Sequence, residues 1–307
     1  MKGNAMKRTL QIALLLFTLA FVSTSQTAAQ SINATQKPTA VKTDSRILYH
    51  DGRVIVGASN LYLIWYGCWD NNCGLAGDTV TQSILSDFAV NVGSSPYFQI
   101  LVGYPNSYGQ GPSGTLLLGG SVVDRYSHGL ELTASDMQSI VADQINNLRV
   151  PPDPSGIYVV MASADVSSPT TGFCVPSAHP HHGIGFANGA LFRYAFVGNA
   201  TRCPSAAAPQ FVTNGTLLPT PNGNLAADAM ANTLAHVLST TITNPENDGW
   251  FDRYGLQNAD KCDGQFGPTY LTGNGARANL KLGQRDYLIQ QNWINDRKAH
   301  CAMNSSL

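Results

Sequence analysis

Charged side chains are scarce in this 307-residue sequence, in which Asp, Glu, Lys and Arg make up 12% of the residues. Globular proteins usually carry about twice that fraction. The 18 basic and 19 acidic residues nearly cancel, which leaves a formal net charge of −1. Because no basic stripe is available to neutralise phosphates, the composition argues against a nucleic-acid partner. Gly, Asn, Ser and Thr supply the polar surface instead, as is common outside the cell.

Long hydrophobic runs are missing beyond the N-terminus, and a membrane-spanning helix needs about 20 apolar residues, so no span is expected after signal cleavage. At the start, a basic segment precedes the apolar run 10–22, and small residues follow it. This pattern is typical of a secretory signal peptide, here residues 1–29, with a membrane anchor as the alternative. The polar tract 30–44 predicts disorder. We expect residues 45–303 to form a single domain of a secreted, extracellular protein.

Paired C-x-x-C motifs are also absent, which argues against a zinc–thiolate cluster. The sequence nevertheless has six cysteines, all of which follow the predicted signal peptide. An even number of cysteines on a secretory route indicates disulfides. The sequence leaves the connectivity open, and closeness along the chain favours Cys68–Cys73, Cys174–Cys203 and Cys262–Cys301.

Apolar residues recur at helical spacing in three segments, and strand-like apolar runs lie between them. The predicted helices cover residues 79–92, 134–148 and 224–242. Val80 and Leu148 fall on the apolar faces of the first and second helices, and Thr133 with Asp136 outlines a capping box before the second. The predicted strands cover residues 54–58, 61–66, 115–123, 156–162 and 190–197. Helices and strands are interleaved, but the connections are irregular and rich in loops. This order predicts the α/β (α+β) class, with helices packed on a mixed β-sheet and with stabilising disulfides.

Motifs for nucleophilic catalysis are missing from the sequence. No G-x-S-x-G elbow presents a serine nucleophile, and the cysteines are assigned to disulfides. Acidic residues are numerous enough for a glycosidase, but nothing in their spacing selects a catalytic pair. We therefore assign no catalytic residue.

His236 lies on the third predicted helix, where a histidine on an apolar segment raises the question of a metal site. A zincin places a second ligand four residues after the first histidine, and a Glu beside that histidine polarises the zinc-bound water. Here those positions hold Thr240 and Val237. Threonine is a poor zinc ligand, and valine cannot accept a proton. The segment is therefore either an ordinary helix with a packed histidine or the remnant of a metal site.

A second group of candidate metal ligands is His179, His181 and His182, three of the seven histidines. Imidazoles at this density bind zinc or copper, but they also occur in disulfide-tethered loops that bind nothing. His179 and His182 would complete a three-histidine zinc site with His236 if the fold joined them. Oxygen donors in residues 244–252 could hold calcium, although a turn is the simpler interpretation. Zinc and calcium are therefore candidate cofactors, and neither is certain.

Six segments of the sequence follow one another in a recognisable order. They are NLYLIWYG at 60–67, SILSDFAVNV at 83–92, VVMASADVSSPTTGFC at 159–174, HG at 182–183, FRYAFVGNATRCP at 192–204 and NLAADAMANTLAHVLSTTITNP at 224–245. Together they resemble the EXORDIUM or phosphate-induced protein family, over residues 47–290. The resemblance implies a secreted protein of the cell wall or extracellular space, linked to growth and to carbon and phosphate status. It implies no firmly attached enzymatic activity.

The sequence departs from the plant members of that family at two places. It has AHPH at 178–181, where plant members carry a second Cys, and SAAA at 205–208, where they carry further cysteines. In these respects it is similar to a microbial branch. Some microbial relatives resemble zincins, with a Glu directly after the histidine that corresponds to His236. The resemblance therefore implies a zincin-like fold and makes Asp260 a candidate neighbour of the third ligand.

Three functional hypotheses remain. The first is a secreted, non-catalytic protein whose partner is a cell-wall or cell-surface component. The second is a divergent zinc-dependent hydrolase, which needs imidazoles within about 4 Å of one another. The third is a carbohydrate-binding protein, which needs two or more aromatic side chains exposed on one face. The aromatic residues that suggest the third hypothesis are Trp65, Trp69, Tyr97, Tyr104 and Tyr108.

Overall fold

A computed structural model describes residues 46–70, 79–175 and 180–305. The predicted signal peptide, the predicted disordered leader, Cys73 and His179 lie outside the described residues. The described residues all belong to one compact unit, Pro38–Leu307.

Strands and helices are interleaved along the chain, as the sequence predicts. The strands are β1 Leu48–Tyr49, β2 Gly57–Tyr66, β3 Pro112–Asp124, β4 Gly156–Ala162, β5 His182–Ala187, β6 Ala190–Val197, β7 Val212–Thr213, β8 Thr216–Leu217, β9 Trp250–Phe251, β10 Tyr270–Leu271, β11 Arg277–Ala278, β12 Leu280–Leu282, β13 Arg285–Tyr287, β14 Asn292–Ile294 and β15 His300–Ala302. The α-helices are α1 Thr79–Val92, α2 Ala134–Asn146, α3 Pro204–Ala207 and α4 Leu225–Thr243. Short 3-10 helices cover Phe98–Gly103, Pro169–Thr171, Ala200–Arg202, Pro209–Phe211 and Asp260–Cys262. Within the described ranges, no helix combines the length and apolarity needed to cross a membrane.

A five-stranded mixed sheet organises the domain, with the strand order β3-β2-β4-β6-β5. Strands β3, β2, β4 and β6 run parallel, and β5 pairs antiparallel with β6 at one edge. The other strands form short antiparallel pairs, such as β1 with β9 and β14 with β15. The predicted mixed sheet with packed helices is therefore confirmed.

Helices cover both faces of the sheet. Successive side chains of β2 point to opposite sides, so its apolar residues contribute to a core on each face. Leu61 and Leu63 pack in one core with α1 and α4, and Tyr62 and Ile64 pack in another with α2. Strand β4 is buried along its whole length. A strand covered on both faces requires such a continuous apolar run, here GIYVVMA.

Helix α4 is buried over most of its length because it packs against α1, β6 and the edge strand β5. Its N-terminus is capped by Asn224, whose side chain accepts a hydrogen bond from the backbone N–H of Ala227. The capped start and the contact with both strands place His236 in the interior, on the side of the domain where β5 begins.

Two residues that were predicted to lie on apolar helix faces are exposed in the structure. Helix α2 begins with the predicted capping box, in which Thr133 and Asp136 bond reciprocally. The helix ends at Asn146, however, and Leu148 is 77% exposed with a φ of 55°. The backbone has turned into the left-handed region there, so the periodicity no longer applies to its side chain. Val80, assigned to the apolar face of α1, is 59% exposed.

Two of the three predicted disulfides lie within the described residues, and both are present. Cys174 bonds to Cys203, and Cys262 bonds to Cys301. The second joins the 3-10 helix at residues 260–262 to strand β15. Cross-links that close loops of this length stabilise a fold by about 3–4 kcal/mol in the chain-entropy account. The proposed Cys68–Cys73 bond involves a residue outside the described ranges.

Candidate functional site

His236 is hydrogen-bonded on both sides of its ring inside the core. The residue as a whole is 1% exposed. Nε2 lies 2.8 Å from Asp260 Oδ1, and Nδ1 lies 3.3 Å from Gln290 Oε1. The carboxylate oxygen and the amide oxygen are both acceptors, so each of these hydrogen bonds is donated by a ring nitrogen that carries a proton. Both directions in which the imidazole could bind a metal are therefore occupied by oxygen atoms of the protein.

Asp260 and Gln290 are themselves fixed by the backbone around them. Asp260 Oδ2 accepts a hydrogen bond of 2.8 Å from the backbone N–H of Gln257. Gln290 Nε2 donates to the carbonyl of Ala259 over 2.9 Å, which orients its Oε1 toward His236. These bonds tie α4 to the segment around residue 260 and to the segment that follows β13.

His182, the first residue of β5, reaches the same group through Gln257. Its Nε2 lies 3.1 Å from Gln257 Nε2. Burial lowers the pKa of His182 to about 4, so the ring is neutral at pH 7 and its Nε2 can accept from the amide. Nδ1 of His182 is buried and has no hydrogen-bond partner among the described residues. The link runs from His182 through Gln257 to Asp260 and then to His236. We call these four residues, together with Gln290, the His236 group.

Three of the four residues proposed as metal candidates therefore come together, and His179 lies outside the described residues. They are joined by hydrogen bonds rather than arranged around an open position. Among the residues that the structure describes, no group of three or more His, Cys, Asp or Glu side chains could hold a metal ion. His181 lies away from this group, with its Nε2 3.4 Å from the hydroxyl of Tyr194.

The helix positions that carry a base and a ligand in zincins have other roles here. Val237 is fully buried in the apolar core between α4 and the sheet. The hydroxyl of Thr240 donates to the carbonyls of His236 and Val237, each over 3.2 Å. Neither side chain is available to activate water or to bind a cation.

Gln257 and Gln290 are the residues of this group that sequence reasoning missed. Glutamine occurs in no metal or catalytic motif of this kind, and the two side chains contact histidines far along the chain, Gln257 with His182 and Gln290 with His236. No local pattern could have identified them.

Oxygen atoms proposed for calcium are used by turns and by an ion pair. Asn244 Oδ1 accepts from the backbone N–H of Gly249 over 2.7 Å. Asp252 Oδ1 accepts from the backbone N–H groups of Tyr254 and Leu256, and its Oδ2 lies 3.1 Å from Lys261 Nζ. This is how Asn and Asp side chains stabilise turns.

The aromatic residues named for sugar binding do not form one exposed face. Trp65, Trp69, Tyr97 and Tyr104 are each at most 4% exposed, whereas Tyr108 is 86% exposed. The first four are core residues, so a carbohydrate-binding face cannot be assembled from this set.

Comparison with known proteins now identifies the family. The family model described as "Phosphate-induced protein 1 conserved region" matches residues 47–301, a stretch that includes the sheet, α4 and the whole His236 group. The chain belongs to this family. The family named from the six segments of the sequence is thereby confirmed.

This member of the phosphate-induced protein family has relatives in plants. The chain is similar to Protein EXORDIUM-like 3 of Arabidopsis thaliana, with 29% identity over 81% of this chain and 80% of the relative. It is also similar to Protein EXORDIUM of the same species, with 29% identity over 80% of this chain and 82% of the relative. Protein PHOSPHATE-INDUCED 1 of Nicotiana tabacum is 27% identical over 71% of this chain and 72% of its own length. No solved structure gives a significant match, so the zincin-like description of the fold stays a prediction.

Proposed function

We propose that this EXORDIUM-like protein is secreted and acts without catalysis outside the cell, on a wall or surface component, in growth or nutrient response. The observation that carries the non-catalytic part is the bonding of His236. Its two ring nitrogens face Asp260 and Gln290 inside the core. A zinc hydrolase needs imidazole nitrogens directed at the metal, an open coordination position and a base for the water. The base position holds Val237.

Secretion is supported by the N-terminal sequence and by the disulfides. Basic, apolar and small residues follow one another in the order of a signal peptide over residues 1–29. The bonds Cys174–Cys203 and Cys262–Cys301 require an oxidising compartment to form and persist. The family resemblance supports the extracellular role and the link to growth or nutrient status.

The test of secretion compares the full chain with a chain that lacks residues 1–29, both carrying the same C-terminal tag. We expect the full chain in the culture medium, with a new N-terminus near residue 30, and the shortened chain inside the cells. Retention of both chains inside the cells, or release of both in equal amounts, would overturn the secreted location.

A zinc-dependent hydrolase is the second candidate, and one observation favours it. His182 on the edge strand and His236 on α4 meet at the same Asp260–Gln257 link. Metal content of protein purified without chelator separates the two functions. The non-catalytic proposal expects no stoichiometric zinc in the wild type. About one zinc per chain, lost in His236→Ala but kept in the control His128→Ala on the far face of the sheet, would favour the hydrolase.

A further inference from the structure

A surface cleft lies where the first described strand meets the C-terminal segment. Its volume is about 460 Å³, within the range of small-molecule sites, roughly 300–1,000 Å³. The side chains that matter for its chemistry are Arg46, Tyr49, Trp250, Asn295, Asp296 and Arg297. None of them belongs to the His236 group.

Two aromatic rings form one wall of the cleft. Tyr49 and Trp250 are cross-strand partners in the β1–β9 pair, and their ring centroids are 5.4 Å apart. The hydroxyl of Tyr49 donates to the carbonyl of Gly52 over 2.6 Å, and Trp250 Nε1 donates to the carbonyl of Pro105 over 2.9 Å. Tyr104 packs edge-on against Trp250, with 5.4 Å between centroids. The polar atoms of both rings are thus satisfied by the protein, and the rings are held in fixed orientations.

Fixed aromatic rings suit one kind of contact in particular. Because their polar atoms are used, Tyr49 and Trp250 offer apolar ring surface. The C–H face of a pyranose ring packs on such a surface. Binding then orders few rotatable bonds of the protein, which keeps its entropic cost low.

Two arginines line the same cleft as the aromatic pair. Arg46 and Arg297 are exposed, and within the described ranges neither forms an ion pair with a carboxylate. Asp296 also lines the cleft, and its Oδ1 accepts from the backbone N–H groups of Lys298 and Ala299, each over 2.8 Å. The planar fork of a guanidinium matches the two oxygens of a carboxylate. With two arginines and one aspartate in its lining, the cleft therefore presents an excess of positive charge together with an apolar aromatic surface.

We propose that this cleft binds a carboxylate-bearing saccharide, with the sugar ring on Tyr49 and Trp250 and its carboxylate near Arg46 and Arg297. This inference rests on the proposed function in one respect: the extracellular location is where the protein would encounter such a saccharide. It also restores the carbohydrate-binding hypothesis at a different site from the aromatic residues first named for it.

The experiment titrates the folded mature protein with a linear trimer of galacturonate. Calorimetry and NMR chemical-shift changes detect the binding. We expect saturable binding that weakens with added salt. A neutral trimer of glucose should bind at least about tenfold more weakly, because a charge-assisted hydrogen bond contributes roughly one factor of ten or more. A phosphorylated sugar that binds better than the galacturonate trimer would contradict the assignment to a carboxylate.

Variants test the site itself. Arg46→Gln with Arg297→Gln should weaken galacturonate binding at least about tenfold, and Tyr49→Leu should weaken both acidic and neutral trimers. The matched control removes two exposed charges elsewhere, Arg149→Gln with Lys281→Gln, and should bind as the wild type does. Absence of binding by the folded wild type, or equal loss in the control, would overturn the proposal. Because the titration uses purified protein, its failure is distinguishable from failed secretion.

Discussion

His236 and Asp260, 24 residues apart in the sequence, share a 2.8 Å hydrogen bond in the interior of the domain. The side chains on either side of this bond are 2% and 5% exposed. Charged and polar groups buried to this extent are stable only when each has a partner. The pair therefore joins α4 to the segment around residue 260 and gives the buried imidazole of His236 a hydrogen-bond partner.

Breaking this pair should destabilise the protein strongly. Asp260→Ala removes the carboxylate oxygens that accept from Nε2 of the buried His236 imidazole and from the backbone N–H of Gln257. We expect a loss of about 3 kcal/mol in the free energy of unfolding, measured by urea denaturation. The control is Lys281→Ala, which removes an exposed ion pair with Asp286 and should cost less than about 1 kcal/mol. Equal losses in the two variants would mean that the His236–Asp260 bond has no structural role.

The capping box of α2 predicts a dependence of stability on pH. Hydrogen bonds from the backbone and hydroxyl of Thr133 lower the pKa of Asp136 below its usual 3.8. A carboxyl whose pKa is lower in the folded state stabilises the protein above its unfolded pKa, and this contribution is lost as pH falls through the folded pKa. Asp136→Asn should therefore cost about 1 kcal/mol at pH 7. The difference from the wild type should shrink below pH 3.8, whereas a difference independent of pH would contradict the argument.

The end of α2 provides a paired test of packing. Ile145 is 1% exposed, whereas Leu148, on the same predicted helix face, is 77% exposed. Ile145→Ala should lower the free energy of unfolding by about 2–4 kcal/mol. Leu148→Ala should change it by less than about 0.5 kcal/mol. Thermal or urea unfolding of the two variants measures both values, and a large loss at Leu148 would show that the helical periodicity continues past Asn146.

The Cys262–Cys301 bond closes a loop across a sequence separation of 39 residues. Replacing both cysteines by alanine should lower stability by about 3–4 kcal/mol, mainly by giving the unfolded chain more freedom. Scanning calorimetry of the wild type with and without a reductant, beside the double variant, measures the effect. Reductant should lower the Tm of the wild type more than that of the double variant. If reductant lowers both Tm values equally, the stability lost on reduction comes from the other disulfides.

The secondary structure was largely predictable because its signals are local. Helix α1 covers the predicted residues 79–92, and strand β4 covers residues 156–162, as its unbroken apolar run indicates. Errors occurred where the helical spacing of apolar residues continued past the end of the helix, as at Leu148 after α2. The separately predicted strands 54–58 and 61–66 are replaced by one strand, β2, that begins at Gly57.

The candidate site was predictable only in part. His236 attracted attention because a histidine is unusual on an apolar helix, and Asp260 followed from the family resemblance. Gln257 and Gln290 had no such signal, and neither did the pairing of Tyr49 with Trp250. Each of these contacts joins residues that are distant in the sequence, so only their positions in three dimensions define them.

The sequence by itself determined the main helices and strands, the capping box of α2 and the family, because periodicity, capping residues and the family segments are patterns of residues that lie close together along the chain. Only the tertiary structure decided which residues His236 contacts. Its partners lie 24 and 54 residues away, and packing of α4 on the sheet brings them to both ring nitrogens. The same long-range packing placed two aromatic rings and two arginines around one cleft.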